Sequence, residues 1–163
     1  MLVPNELLRA ARIAADLSQI ELAAAAGLDK GTVVRSEANE RMTQATLAAL
    51  RDALVACGMT FEPSAGDLGP GLRLPPGNES ELSVLTAAAD AIGLSVDETA
   101  AAAKLSGRTL VRARSAGSAS AKTLSALRAA LEKKGVLFVE ADGGHGAGFR
   151  IPLSMLSRDD LRF

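Results

Sequence analysis

The stretch Leu17-Ser18-Gln19-Ile20-Glu21-Leu22-Ala23-Ala24-Ala25-Ala26-Gly27-Leu28-Asp29-Lys30-Gly31-Thr32-Val33-Val34-Arg35-Ser36-Glu37 decides the fold. Ser18 with Glu21 three residues later is a capping box, so a helix starts at Ser18. Ile20, Leu22 and Ala23 supply its apolar face. Gly27 ends it, because glycine adopts the left-handed conformation that a helix C-terminus needs. Leu28 plugs a short turn, and Asp29 caps a second helix that runs through Thr32, Val33 and Arg35 to about Glu37. Two short helices joined by a tight glycine turn make a helix-turn-helix.

The same residues carry a family resemblance. Leu17, Ser18, Gln19, Leu22, Ala23, Gly27, Thr32, Val33 and Glu37 match the pattern of the Xre family, which includes Cro and the lambda repressor. Caps, turn and apolar positions agree together, over roughly residues 5 to 60. The resemblance implies a lambda-repressor-like helical domain whose second helix enters the DNA major groove.

Outside this stretch the chain repeats itself. Shifted by 77 residues, it aligns on itself without a gap. Leu17-Ser18 meets Leu94-Ser95, Glu21 meets Glu98, and Ala23–Ala26 meets Ala100–Ala103. Thr32, Val34 and Arg35 meet Thr109, Val111 and Arg112; Gly58 and Phe61 meet Gly135 and Phe138. The expected organisation is therefore two tandem helix-turn-helix units, residues 1–76 and 77–163, the second diverged. Gln19, Gly27 and Glu37 become Val96, Lys104 and Arg114, so the second unit leaves the Xre pattern at three signature positions.

Composition agrees with small, closely packed helices. There is no Trp or Tyr and only four Phe, while Ala and Leu abound. The net charge of −1 is not that of a general nucleic-acid coat, so DNA binding must come from local basic patches. Residues 1–77 carry seven basic and nine acidic side chains, residues 78–163 eleven and ten. A single Cys excludes an internal disulfide and fits a reducing cytoplasm. No signal peptide or long apolar run suggests a membrane. Alanine and arginine richness fits a GC-rich bacterial genome.

In chain order, Asn5 is expected to cap a first helix carrying Leu7, Leu8 and Ala11 inward. Thr43 caps a fourth, with Leu47, Leu50 and Leu54 inward, and Gly58 stops it. Met59–Glu62 and Gly71–Leu74 then read as strands around turn chemistry. The second unit ends the same way, with Val136–Glu140 and Gly148–Ile151. An isolated hairpin is marginal in water, so the two hairpins are expected to share one antiparallel sheet across a pseudo-two-fold axis. Pro75-Pro76-Gly77-Asn78 is a stiffened linker, and Asn78 or Ser80 caps the next helix. The tail from Pro152 has no counterpart; Ser157–Phe163 reads as one amphipathic turn packed on its own unit.

By the resemblance, Gln19 touches a phosphate at a helix N-terminus. Asp29, Lys30, Gly31, Thr32, Arg35 and Ser36 are the groove-facing positions, with Arg35 the base reader and Arg41 a backbone contact. Val33 faces the core and Val34 lies nearer the edge. In the second unit Ser106 caps the equivalent helix, from which Arg108, Thr109, Arg112 and Arg114 project. Glu37 is expected to act structurally, paired with Arg9 or Arg12. Arg73 and Arg150 are expected to pair with acids across the sheet.

Other features point nowhere catalytic. Gly144-His145-Gly146-Ala147-Gly148 imitates a phosphate loop, but no helix follows, so it reads as a hairpin turn. One His without a nearby second ligand argues against a metal, no cofactor pocket is legible, and no nucleophile has a base-and-orienter set. The expectation is a non-enzymatic transcription regulator, a fused pseudo-dimer on an imperfect inverted repeat. The rival is an antitoxin- or antiactivator-like protein whose second unit binds a protein such as RNA polymerase or another regulator. Self-association of the whole chain stays open.

Overall fold

The computed structural model describes residues 3–78 and 80–155. The first half contains helices α1 (Asn5–Ala14), α2 (Gln19–Ala26), α3 (Lys30–Glu37) and α4 (Gln44–Ala56), then strands β1 (Thr60–Glu62) and β2 (Gly71–Arg73). The second half follows the same order, with α5 (Glu81–Ala91), α6 (Val96–Ala102), α7 (Gly107–Ala116), α8 (Ala121–Lys133), β3 (Leu137–Val139) and β4 (Gly148–Arg150). A 3-10 turn, Leu153–Met155, closes the described part. The tail segment Ser157–Phe163 lies outside the described residues.

Local signals set most boundaries. Ser18, Asp29 and Thr43 cap α2, α3 and α4, and Ser80, Ser95, Ser106 and Ser120 cap α5 to α8. Helix α1 departs from expectation. Its N-cap is Pro4, which supplies no side-chain bond, and Asn5 is already helical. The Asn5 amide oxygen instead accepts from Ser36 Oγ at 3.3 Å. Between Asn78 and Ser80, Ser80 is the cap, and Asn78 Oδ1 accepts from the Ser80 backbone N–H. A second departure is Ile20, which is 61% exposed and takes no part in the apolar face of α2; Leu22 and Ala23 do.

The two halves reach the same backbone with different residues. The turn closing α2 holds Gly27 at φ 68°, and the matching turn after α6 holds Lys104 at φ 58°. After α1 the roles reverse, with Asp16 at φ 56° where the second half has Gly93 at φ 81°. Side chains rarely accept this left-handed region, so the surrounding packing imposes it.

The hairpins share one antiparallel sheet in the order β1-β2-β4-β3. Across the central pair Gly71 faces Arg150, Leu72 faces Phe149 and Arg73 faces Gly148. Because Gly71-Leu72-Arg73 corresponds to Gly148-Phe149-Arg150, this register is unchanged when the strands trade places. A local two-fold therefore passes through the buried Leu72–Phe149 pair. Gly148 is required here, since a Cβ on it would run into the Leu72 carbonyl oxygen. Arg73 and Arg150 converge on Glu62, Arg150 Nη2 at 2.6 Å and Arg73 Nη1 at 3.5 Å. Arg73 also donates to the Gly146 and Glu140 carbonyls, tying the first hairpin to the second.

Helix α1 packs along α5, its counterpart, to form the other half of the joint. Ala10, Ala11, Ala87 and Ala88 are fully buried, small enough for helices to approach closely. At the rim Arg9 forks onto Asp90 with bonds of 2.9 and 2.8 Å. One continuous core runs from Leu7 and Leu54 through Leu72 and Phe149 to Leu85 and Leu131.

Candidate nucleic-acid interface

The α2–turn–α3 unit is held from behind by a half-buried polar network. Glu37 receives the Arg12 guanidinium through Nε and, at 3.1 Å, through Nη2. It also accepts from Gln19 Nε2 at 2.8 Å, and Arg12 Nη1 reaches the Leu17 carbonyl at 2.8 Å. Of the two expected partners of Glu37, Arg12 is the one used. Arg9 is spent on Asp90 instead. Gln19 sits at the first position of α2, but its amide N–H group is engaged with Glu37.

The N-termini of both helices are closed by their own carboxylates. Ser18 Oγ accepts from the Glu21 N–H while Glu21 accepts from the Ser18 N–H. Asp29 Oδ1 accepts from the Thr32 N–H at 2.7 Å and from its hydroxyl at 3.0 Å. These bonds hold the Asp29 carboxyl below its ordinary range, and the Ser18 bonds do the same for Glu21.

Helix α3 divides into two faces. Val33 is fully buried, and Lys30, Gly31, Val34 and Arg35 are exposed. Arg35 Nη2 donates to Thr32 Oγ1 at 3.3 Å, which lays its guanidinium along the exposed side. Arg41 follows on an exposed loop. Ser36 corrects the expectation. It is 2% exposed and bonded to Asn5, so it belongs to the α1 contact and not to the groove face. Three residues after buried Val33, it falls on the inward side of the helix.

Helix α7 presents a comparable face. Ser106 Oγ accepts from the Thr109 N–H at 3.1 Å. Arg108, Thr109, Val111 and Arg112 are exposed, and Leu110 is buried. Arg108 and Arg112 make no hydrogen bond or ion pair among the described residues, so their charge is free for a partner in solution. Arg114 stands apart from them. It lies four residues after buried Leu110 and lines a cavity with α5 and α6 residues, away from the Arg108–Arg112 face.

Both faces also carry a matched pair of valines that sequence reasoning did not assign to the groove. Val34 and Val111 occupy the same place on α3 and α7 and are 40% and 52% exposed. Exposed valines among arginines suit the methyl group of thymine. Their equal spacing was visible in the repeat.

A helix-turn-helix family model matches residues 8–55, spanning most of α1 to the last turn of α4. This part of the chain is a helix-turn-helix domain, the kind of domain by which regulators bind DNA. No curated protein and no solved structure matches the chain. No helix among the described residues is long and apolar enough to cross a membrane.

Proposed function

We propose that this chain is a sequence-specific, DNA-binding transcription regulator that works as a fused pseudo-dimer on an imperfect inverted repeat. Residues 1–76 are one helix-turn-helix domain and residues 77–163 a diverged second copy. The observation that carries the reading is the joint. Strand β2 pairs with its counterpart β4 about a local two-fold, and α1 packs along its counterpart α5. Two like elements meeting through the same surface is the arrangement of a symmetric dimer, made here within one chain. The exposed faces of α3 and α7 are then its two reading surfaces. They carry Lys30, Thr32, Val34 and Arg35 on one side and Arg108, Thr109, Val111 and Arg112 on the other.

On this reading Arg35 and Arg112 fork onto guanine O6 and N7 in separate half-sites whose centres lie about 34 Å apart. Covalent linkage presents the second helix at high local concentration, so two weak contacts sum to firm binding. The chemistry is recognition and not catalysis.

The test is selection of genomic DNA by the intact protein, followed by footprinting of the best site. The expected footprint is an imperfect inverted repeat one helical turn between centres. Arg35→Ala and Arg112→Ala should each weaken binding roughly ten- to one-hundred-fold and relax specificity in a different half-site. Affinity should also fall steeply with salt. A single protected half-site indifferent to Arg112→Ala would move the second copy to a protein partner.

A further inference from the structure

The Arg12–Glu37–Gln19 network of the first half has no copy in the second. At the same offset of 77 residues Arg12 becomes Ala89, Gln19 becomes Val96 and Glu37 becomes Arg114. The change from Arg to Ala removes everything beyond Cβ, and the change from Glu to Arg reverses the charge that faced it. At that place the structure holds a cavity of about 350 Å³, lined by Ala89, Val96 and Arg114, with Leu94 and Leu110 adding apolar wall. Small-molecule sites run from about 300 to 1,000 Å³, so this one has room for a small ligand.

The charges around the cavity are not equally free. Arg9 and Asp90 satisfy each other through two bonds. The Glu98 carboxylate accepts from the Ser95 N–H in the capping box of α6. Arg114 makes no hydrogen bond or ion pair among the described residues. The cavity therefore offers one unmatched, exposed cation beside walls in which Ala89, Leu94, Val96 and Leu110 alternate with Thr86, Ser95 and Thr99, with two carboxylates already engaged.

We propose that this cavity binds a small organic carboxylate, with Arg114 as the partner of the anion and the space vacated at Ala89 as the seat of its apolar part. A guanidinium matches a carboxylate through two parallel bonds. A doubly charged phosphate fits less well, because its second charge would lie near Asp90 and Glu98 without a cation to meet it. The site rests on cavity, charge and repeat offset alone, and stands or falls independently of DNA binding.

The test is NMR titration of the isotopically labelled full chain with sodium benzoate and sodium isovalerate. Benzamide serves as the neutral control and inorganic phosphate as the competing anion. At least one carboxylate should give saturable shifts at the Ala89, Val96 and Leu110 methyl groups and at Arg114 Nε, with benzamide at least tenfold weaker than benzoate if benzoate is the ligand bound. Arg114→Gln should reduce carboxylate binding at least tenfold. Ala89→Leu, which refills the cavity, should abolish it. If Ala89→Leu does not fold, the Arg114→Gln comparison still decides. Shifts that never saturate, persist in Arg114→Gln, or appear with phosphate but neither carboxylate would overturn the proposal.

Discussion

At the scale of single residues, the interface depends on a few side chains that never face DNA. Glu37 gathers Arg12 and Gln19, with side-chain exposures of 15% for Arg12 and 10% for Glu37. Among the described residues Glu37→Ala leaves the Arg12 cation with only the Leu17 carbonyl, so stability should fall by roughly 3 kcal/mol in urea unfolding. Gln19→Ala made on top of it should add little, since its partner is already gone. Asp29 acts on the same helix through its charge. Its folded-state pKa is depressed by the Thr32 bonds, so its stabilising effect is present above the ordinary carboxylate range and is lost as pH falls through the depressed value. The Thr32 amide signal should therefore titrate with a midpoint below about 3.9, the ordinary Asp value, while the start of α3 loosens. Much of this was legible in the sequence. Ser18, Glu21 and Asp29 announce their roles by spacing alone. Ser36 falls inward, as the counting rule from Val33 assigns it, while Arg114 stays exposed but turns from the Arg108–Arg112 face toward the cavity beside α5 and α6. Arg9 was not legible, because its partner Asp90 lies across the joint and no local pattern connects them.

At the scale of elements, the caps reveal where helices begin and the glycines where most of them end, because both act within a few residues. The exception, Asn5, shows the limit: a good capping residue was drawn into a contact with Ser36 from α3. Lys104 shows another. The sequence there departs from the glycine pattern, yet the turn keeps the left-handed backbone. Lys104→Gly should relieve this and raise stability by roughly 0.5–1 kcal/mol, the relief exceeding the entropy that glycine adds to the unfolded chain. A fall in melting temperature instead would mean that the lysine side chain has a contact that outweighs its backbone. The shared sheet was legible only through the repeat, since three-residue strands carry almost no periodicity. The cavity beside Arg114 was not read from the sequence, although the exchange of Arg12 for Ala89 was in plain view.

At the scale of the whole molecule, each half is incomplete. Residues 1–78 alone would leave β2 as an open edge and the apolar side of α1 uncovered. Since Gly71-Leu72-Arg73 can pair with a copy of itself in the register it uses with β4, the isolated segment should dimerise through β2 and α1. Sedimentation of this segment should find a dimer, and Leu72→Lys should return it to monomer or unfold it. A well-folded monomer would mean that the joint is dispensable. In the intact chain the joint is already closed. Its strand pairing is two-fold, but its outward side chains are not: Lys30 and Gly31 lie where α7 has Gly107 and Arg108. A dimer of identical chains looks the same from either end of its target. On the proposed reading this molecule has a head and a tail, so on a site with unlike halves it would settle in only one direction, and whatever lies beside it would always meet the same flank.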